Sequence, residues 1–418
     1  MKNDFEDVES FRRSARAWLA ESMPRVQGEI DSLWDSGRRQ RERELQRKLW
    51  DGGFAGICFP AEYGGLGLSI DHQRAFTGES LPYEMPFSFN VPTLSILAAT
   101  LVDFGTHEQK RRHLPAILRG EEMWVQFLSE PSGGSDLAGS ITRADRDGDV
   151  WILNGSKIWS SSAHVSDYAM CLARTNWDVP KHRGLTMFIV KIHQPGIQVD
   201  QIKQVNGSME FCQEFFTDVA VPADNVVGEI DGGWEVASRL LNHERHAVGG
   251  GSPYTSGRTV AGESLQPDRN LIRLAQQTGQ AGDGRVRQMV AEGHILQVVS
   301  SHLGTRITEG ISSGTIVPAA GALTKLFHAT MFEQRAEIGV EIAGSDAVAC
   351  PVGGANEARQ IGRMYPGRQT MSLGGGSNEM QRNIIAERVL GMPREWAADH
   401  DGPFRDVRTN TSPSRPNG

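Results

Sequence analysis

The sequence predicts an α+β protein of several domains, in the order helical, β, helical. With 418 residues, the chain is longer than one typical hydrophobic core supports, so two or three packed domains are expected. Apolar residues recur at three- and four-residue steps near both ends, which is the period of amphipathic helices. Between residues 124 and 228 the pattern changes to short β-branched and aromatic segments separated by turn residues, which indicates strands.

The N-terminal domain, residues 1–123, is predicted to be helical. Its first helix spans Phe5 to Leu19 on the evidence of its apolar period. The arginine-rich run from Arg38 to Arg47 is interleaved with glutamates, so it is expected to form a solvated helix face with local ion pairs. The segment from Phe59 to Gly67 carries a proline and several glycines and is expected to be an irregular loop.

The central domain, residues 124–228, is predicted to contain short strands. One runs from Val150 to Leu153 and is followed by Asn154-Gly155, a dipeptide typical of hairpin turns. Another is expected from Leu185 to Lys191, after the turn signal Arg183-Gly184. This part of the chain is therefore predicted to fold as a β domain.

The helical period returns in the third domain, residues 229–395. Its predicted helical stretches are Arg239–Val248, Arg285–Thr308, Leu323–Ala343 and Met380–Leu390. The final segment, residues 396–418, has almost no large apolar residues from Ala397 onward and is predicted to be a disordered tail.

Composition argues against several classes of function. A net charge of -8 argues against a dedicated nucleic-acid surface. We expect a soluble, cytoplasmic protein, because no apolar run approaches the ~18 residues of a membrane span. The four cysteines have no C-x-x-C spacing, so neither a zinc site nor a disulfide framework is expected. His243 and His246 lack the H-E-x-x-H spacing, and no metal site is predicted.

The segment Ser129–Asp136 has a composition suited to binding a ligand. Pro131 fixes one turn, and the two glycines that follow at 133 and 134 let the backbone approach a ligand closely. The hydroxyl and amide groups of Ser129 and Ser135 suit a pyrophosphate or a flavin edge. A tight turn without any ligand explains the same composition, and the residues alone leave both possibilities open.

Together with the run Asn154–Ser161, which follows a strand, this segment resembles two signature segments of the acyl-CoA dehydrogenase family in order and spacing. The resemblance covers roughly residues 5 to 395 and includes Tyr63–Gly67, Gly105-Thr106 before Glu108-Gln109, and Gly376–Ile385. It implies a helical N-terminal domain, a central β-barrel or sandwich domain and a C-terminal four-helix bundle. It also implies FAD as cofactor and oxidation of an acyl-CoA thioester to the trans-2,3-enoyl-CoA, by α-proton abstraction and β-hydride transfer to flavin.

The resemblance also implies which residues bind the ligands. The flavin-binding residues would be Gln126, Leu128, Ser129, Gly134, Ser135, Trp159, Ser161, Ser377, Asn378 and Glu379. Trp159 would pack against the flavin ring, since an aromatic side chain stacks on a flat π-system and excludes water; as an isolated residue it would more often belong to a core. The substrate-binding residues would be Ser135, Arg245, Gly375 and Gly376. On the residues alone, Ser377 or Asn378 reads as the N-cap of the next helix.

The catalytic base is predicted to be Glu244. Many family members carry this glutamate in the loop that corresponds to Gly374–Gly376, whereas a minority carry it on the helix that corresponds to Leu240–Arg245. Here the usual loop position holds Gly375, which has no side chain, although its N–H remains available to the thioester oxygen. Glu244 lies one helical turn beyond apolar residues, and burial raises the proton affinity of a carboxylate, which suits a base. For an arbitrary glutamate, pairing with a cation on a solvated face is the alternative.

Two segments depart from the family pattern. The family's R-x-x-F-G segment, which reaches the FAD of a neighbouring subunit, corresponds here to Arg273–Gly279 without the phenylalanine, and its Q-x-x-G-G segment to Glu341–Ser345. Such divergence is similar to that of bacterial members that assemble as α2β2 heterotetramers. A homo-oligomer or a heterotetramer with a related subunit is therefore expected. The implied partners are acyl-CoA, or a carrier-protein thioester, and an electron-transferring flavoprotein.

Two alternative functions stay open. A flavin-dependent oxygenase or oxidase on the same fold would show rapid reoxidation of its flavin by O2. A non-catalytic subunit of a heteromeric acyl-CoA dehydrogenase, which Gly375 and the altered segments suggest, would fail to bind flavin alone. The length and branching of the acyl chain are not predicted by the sequence.

Overall fold

The protein is described by a computed structural model, which covers residues 7–26, 36–87, 89–248, 251–257, 269–349, 357–397, 399 and 401–407. The hydrophobic pattern predicted a helical, β, helical order, and the structure has that order. Three of the four cysteines, Cys58, Cys171 and Cys212, are free thiols, and Cys350 lies outside the described residues. Among the described helices, none is long and apolar enough to cross a membrane.

The described residues of the N-terminal domain contain five α-helices. They are α1 (Val8–Ser22), α2 (Ser36–Asp51), α3 (Ile70–Ser80), α4 (Ala99–Phe104) and α5 (His107–Leu118). The segment Phe59–Gly67 is irregular, as predicted, apart from a short 3₁₀ helix at Ala61–Tyr63. Before α4, residues Phe89–Ala98 form a wider helical segment interrupted at Val91. Helix α1 buries Phe11, Ala15 and Leu19, which confirms its predicted apolar face.

Helix α2 differs from the solvated helix that its charge predicted. Arg39 and Glu42 are buried. Arg43 places a guanidinium nitrogen 2.8 Å from Asp167 Oδ2 in the central domain, and Arg39 donates a hydrogen bond to Ser162. Arg41–Glu44 and Arg47–Asp51 form local ion pairs, as predicted. Arg39 and Arg43, by contrast, have partners across a domain interface, which a local charge pattern does not distinguish from a solvated face.

The central domain is one mixed sheet of eight strands. They are β1 (Trp124–Phe127), β2 (Arg143–Asp147), β3 (Val150–Ser161), β4 (Tyr168–Arg174), β5 (Leu185–Lys191), β6 (Ile197–Gln201), β7 (Phe211–Pro222) and β8 (Val226–Val227). The order is β6-β7-β3-β2-β4-β5-β8, and β1 pairs with β4 in parallel. Side chains alternate along β1, so Trp124 packs against the helical domains while Val125 and Phe127 enter the core of the sheet. This alternation directs Gln126 towards the helices.

The predicted hairpin turn at Asn154-Gly155 is wrong, because β3 continues through it. The register of β3 against β7 shifts between Leu153 and Gly155, which is a β-bulge. Gly155 has φ +146, and a Cβ there would lie 2.8 Å from Thr142 Cα. The glycine is thus needed for a bulge and a close approach, and the real β2–β3 turn lies at Gly148, with φ +59.

The C-terminal domain is helical. It contains α6 (Gly233–Val248), α7 (Arg269–Gln277), α8 (Gly284–Ser312), α9 (Gly321–Ala343), α10 (Ser345–Ala349), α11 (Glu357–Met364), α12 (Thr370–Leu373) and α13 (Asn378–Ile384). Each of the four predicted helical stretches overlaps one of these helices, and the stretch from Met380 continues past α13 as a wider turn at Ile385–Val389. Helix α6 lies between β5, the segment Phe89–Ala98 and α9, and so it connects the central sheet to the C-terminal bundle.

The segment predicted to be a disordered tail, residues 396–418, is ordered in part. Phe404 is 2% exposed, and the centre of its ring lies 3.5 Å from the guanidinium carbon of buried Arg174. The Phe404 amide donates to the carbonyl of Val179 at 2.9 Å, and Lys181 Nζ lies 2.6 Å from Asp399 Oδ2. One buried aromatic and a few paired charges hold this segment, although its composition is polar. Residues 408–418 lie outside the described residues.

Candidate active site

Glu244 lies on the inner face of α6, as predicted. Leu240, one turn earlier on the same face, is fully buried. The Oε2 atom of Glu244 accepts a hydrogen bond of 3.1 Å from Gln126 Nε2 on β1. The alternation along β1 and the period of α6 thus bring together two residues that are far apart in the sequence.

The environment of Glu244 shifts its proton affinity upward. Burial raises the pKa of its carboxyl above the ordinary value, while the hydrogen bond from Gln126 and the charges of Arg245 and Lys325 act in the opposite direction. The residue nevertheless keeps partial solvent exposure. A carboxylate enclosed on most sides and open on one, with a raised pKa, is suited to remove a proton from a bound molecule.

The glycine loop approaches this carboxylate closely. A Cβ at Gly375 would lie 3.4 Å from Glu244 Oε1 and 3.7 Å from Lys325 Cε, and the backbone there has φ +68. Gln381 Nε2 donates to the carbonyls of Gly375 at 3.2 Å and Gly376 at 3.0 Å. The family carries its catalytic glutamate at one of two positions, which correspond here to Glu244 and Gly375. These two positions therefore border the same space.

Lys325 on α9 is a site residue that the sequence analysis missed. It is 8% exposed, and its Nζ donates to the carbonyl of Met371 at 2.5 Å. Burial lowers the pKa of its ammonium group, and the charge of Glu244 opposes that shift. A signal was present, because Lys325 lies between buried Ala322 and Ala329 on one face of its helix.

The segment Ser129–Asp136, the predicted flavin-binding segment and here called the cradle, is a tight turn with open space at Gly133. The Glu130 amide donates to Gly133 O at 3.3 Å, and the Gly133 amide returns a bond of 3.0 Å to Glu130 O. A Cβ at Gly133 would meet nothing within 4 Å. The carbonyl of Ser129 accepts a bond of 2.9 Å from Ile158 N, which fixes the turn beside the strand that carries Trp159.

A buried ion pair supports the cradle, and it too was missed. Lys157 Nζ lies 2.8 Å from Glu130 Oε1 and donates to the Leu128 carbonyl at 3.0 Å. The Glu130 carboxylate also accepts from the amides of Ile141 at 2.7 Å and Thr142 at 2.9 Å. Lys157 stands at an inward position of a strand, where a lysine is unusual without a partner.

The cradle has the features that a flat, polar-edged cofactor requires. Trp159 is 54% exposed with φ +68, so a large aromatic ring is presented at the rim. The Oε1 atom of Gln126 is buried and has no hydrogen-bond partner, although buried polar atoms are normally paired. An exposed aromatic, an unsatisfied amide oxygen and an open glycine turn fit the ring system of FAD.

The predicted flavin residues near the C-terminus have local contacts of their own. Ser377 caps α13 by accepting a bond of 3.3 Å from Met380 N, as predicted. Asn378 Nδ2 donates to Ser372 Oγ at 3.0 Å, and its Oδ1 is buried without a partner. Glu379 is exposed. Within the described part of the chain, no hydrogen bond joins these three residues to Ser129–Asp136, so their role in binding FAD stays a prediction.

Two further residues of α6 have defined surroundings. His243 Nε2 lies 2.9 Å from Asp103 Oδ2, which also accepts a bond of 2.6 Å from Arg239 Nε. These contacts tie α6 to α4. Burial lowers the pKa of Arg245, while the charge of Glu244 raises it.

A cavity of about 1000 Å³ lies next to this carboxylate site. Its lining includes Arg245, Lys325, His328 and Met371 from the C-terminal domain and Gln73 and Thr77 from α3. Its volume is at the upper end of the range typical of small-molecule sites.

Comparison with known proteins agrees with this geometry. Family models of the acyl-CoA dehydrogenase N-terminal, middle and C-terminal domains match residues 6–121, 126–219 and 231–390. A relative named acyl-CoA dehydrogenase IpdE1, from Mycobacterium tuberculosis (strain ATCC 25618 / H37Rv), is 36% identical over 399 residues, which cover 93% of this chain and 99% of the relative.

Solved structures give the same result. A structure described as the Tcur3481-Tcur3483 steroid ACAD is 30% identical, with a TM-score of 0.75 and coverage of 94% of this chain and 100% of that one. The ChsE4-ChsE5 complex from Mycobacterium tuberculosis is 29% identical, with a TM-score of 0.70 and coverage of 93% and 98%. This chain therefore belongs to the acyl-CoA dehydrogenase family of flavoprotein oxidoreductases.

Proposed function

We propose that this protein oxidises an acyl-CoA thioester to the trans-2,3-enoyl-CoA, with Glu244 as the base that removes the α-proton. The observation that carries the proposal is the position of Glu244, which is hydrogen-bonded to Gln126 and adjacent to the side-chain-free Gly375. A base must lie within reach of the proton it takes. The space left by the missing Gly375 side chain borders the carboxylate, and a thioester there would place its α-carbon beside Glu244.

The other groups of the chain have complementary roles in this proposal. Gln126 orients the carboxylate through its donated hydrogen bond. The N–H of Gly375 is available to the thioester oxygen, where negative charge develops as the α-proton leaves. Arg245 and Ser135 would contact the CoA-bearing part of the substrate, and Gly376 would border it.

We assign FAD binding to the cradle and its surroundings. Gln126, Leu128, Ser129, Gly134, Ser135, Trp159 and Ser161 would hold the flavin and ribityl region, with Ser377, Asn378 and Glu379 near its other end. When bound, FAD supplies the acceptor for the β-hydride. The exposed ring of Trp159 would cover one face of the cofactor and exclude water from it.

A bulky acyl group is the substrate class that we favour. The cavity of about 1000 Å³ beside Arg245 and Lys325 is larger than a short linear chain needs. Gly375 adds room next to the reacting carbon. A neighbour of known structure with 30% identity is described as a steroid ACAD, which agrees with a large, ring-bearing acyl group.

We also propose that the chain assembles with a related subunit. Its R-x-x-F-G segment lacks the phenylalanine, and Arg273 is paired with Glu357, their atoms lying 2.6 Å apart. A similar solved structure is described as a complex of ChsE4 and ChsE5. A related subunit would then supply contacts to FAD that this chain lacks, and an electron-transferring flavoprotein would accept the electrons.

The test is anaerobic titration of the purified holoprotein with acyl-CoA thioesters. The panel contains linear, branched and ring-bearing acyl groups, and bleaching of the visible flavin spectrum is the readout. We expect bleaching, strongest with ring-bearing thioesters. Bound flavin that no thioester bleaches, with rapid reoxidation by O2 after chemical reduction, would instead favour an oxygenase or oxidase. Failure to bind flavin, even with a related subunit, would favour a non-catalytic role.

A further inference from the structure

Lys325 is the one buried ammonium group in the described part of the site that adjoins both the proposed base and the glycine loop. Its Cε lies 3.7 Å from the position of a Cβ at Gly375, and the Glu244 Oε1 atom lies 3.4 Å from that same position. The lysine and the carboxylate therefore flank one small space. Their charges act on each other, since each shifts the other's pKa towards its ionised form.

Helix α9 contacts the segment leading into the loop at three positions along its length. Lys325 Nζ donates to the Met371 carbonyl. Two turns later, Ser372 Oγ donates to Glu333. One turn further on, Glu337 Oε1 lies 3.8 Å from Arg368 Nε. Of these three contacts, Lys325 is the one that also acts on Glu244 and adjoins Gly375.

We propose that Lys325 is a positioning residue that keeps the Glu244 carboxylate ionised and holds the Gly374–Gly376 loop beside it. The inference deepens the proposed function, on which the identity of the reaction rests. Two properties of Lys325 make it suited to this role. Its burial limits the screening of its charge by water, and its bond to a main-chain carbonyl fixes where that charge lies.

Other charged or titratable groups lie on the elements that surround Glu244. Arg245 on α6 acts on the same carboxylate. On α9, His328 lies one turn beyond Lys325, and burial lowers its pKa, with Lys325 lowering it further. Asp103 of α4 is engaged by Arg239 and His243, and Lys181–Arg183 form a 3₁₀ turn that packs on the first part of α6. The segment Phe89–Ala98 carries no charged residue.

The experiment compares Lys325→Met, which removes the charge at similar length, with Lys325→Arg, which retains it. The protonation of Glu244 is followed in the flavin-bound protein by difference infrared titration of the carboxyl band, assigned by its loss in Glu244→Gln. In Lys325→Met we expect the titration midpoint of Glu244 to rise by about one unit or more. Lys325→Arg should remain within a few tenths of a unit of the wild type. This readout requires neither substrate nor turnover.

A kinetic readout extends the test. With a thioester that bleaches the wild type, Lys325→Met should be about tenfold slower below the wild-type midpoint and should approach the wild-type rate above its own, because only the ionised carboxylate accepts a proton. An unchanged infrared midpoint would overturn the proposal, as would a loss of rate equal at every pH. If no thioester bleaches the wild type, the proposed reaction fails while the infrared result still decides whether Lys325 controls the charge of Glu244.

Discussion

At the scale of single residues, the site depends on a glycine, Gly375, which has no side chain. The backbone of Gly375 has φ +68, and a Cβ added at this position would lie 3.4 Å from Glu244 Oε1. The main-chain conformation and the space beside the carboxylate both favour glycine. An alanine at this position would incur roughly 1–2 kcal/mol of backbone strain and crowd the proposed base.

We therefore predict that Gly375→Ala slows anaerobic flavin bleaching by about tenfold or more, because the added methyl group would crowd the space between Glu244 and the thioester; a factor of ten corresponds to ~1.4 kcal/mol of activation free energy. The matched control is Gly374→Ala, because Gly374 has φ -69 and its Cβ would come no closer than 3.7 Å to Thr370 O. The control should bleach at nearly the wild-type rate. If Gly375→Ala and Gly374→Ala slowed bleaching equally, crowding beside Glu244 would not be the cause.

At this scale the sequence predicted the orientation of Glu244 but not the contacts of Lys325 and Lys157. The inward orientation of Glu244 followed from its position one turn after Leu240, and the structure confirms it. Lys325 and Lys157 were not identified, because a lysine in an otherwise regular helix or strand gives no local sign of its partner. Their partners, Met371 and Glu130, are brought to them by the tertiary fold.

At the scale of elements, the regular helices and the apolar strands were the predictable part. The strand Leu185–Lys191 has the predicted limits, and α9 begins two residues before its predicted start. The turn at Asn154-Gly155 was not predictable from the dipeptide, since the same residues serve a bulge when β7 supplies a partner strand. The local ion pairs expected on α2 are present at Arg41–Glu44 and Arg47–Asp51, but the pairing of Arg43 with Asp167 in the central domain has no local sign in the sequence.

The segment around Phe404 is an element that composition did not reveal. We predict that Phe404→Ala releases it from the central domain, because the loss of a buried phenylalanine costs about 3–5 kcal/mol. Limited trypsin digestion should then cleave rapidly at Arg405, while the thermal unfolding of the rest of the protein changes little. Trp396→Ala is the control, since Trp396 is 84% exposed. Equal protection of Phe404→Ala and the wild type would contradict the packing of this ring.

At the scale of the whole molecule, three domains converge on one helix. The N-terminal domain contacts α6 through α4 and Phe89–Ala98, the sheet contacts it through β5, and the bundle contacts it through α9. The order of domains was predictable from hydrophobic period, and the family from motifs. The meeting of Gln126, Glu244 and Gly375 follows from packing between domains, which no local pattern specifies.

This convergence explains how a base on the helix, as we propose, would reach the reacting carbon. The helix reaches the same space as the glycine loop, so a carboxylate from either element would approach it. In this chain the helix carries the carboxylate side chain, at Glu244, whereas the loop has only main-chain atoms at Gly375. We therefore expect Glu244 to remove the α-proton.

The most direct measurement is the rate of anaerobic flavin bleaching by a saturating acyl-CoA thioester in Glu244→Gln. The substitution keeps the shape of the side chain and its place beside Gln126 while removing its ability to accept a proton. We predict a rate at least about 100-fold below that of the wild type, the usual scale for a lost general base, with an unchanged visible flavin spectrum. Glu235→Gln, on the exposed part of α6, should bleach at the wild-type rate. A Glu244→Gln protein that retains its flavin and bleaches as fast as the wild type would show that Glu244 is not the base.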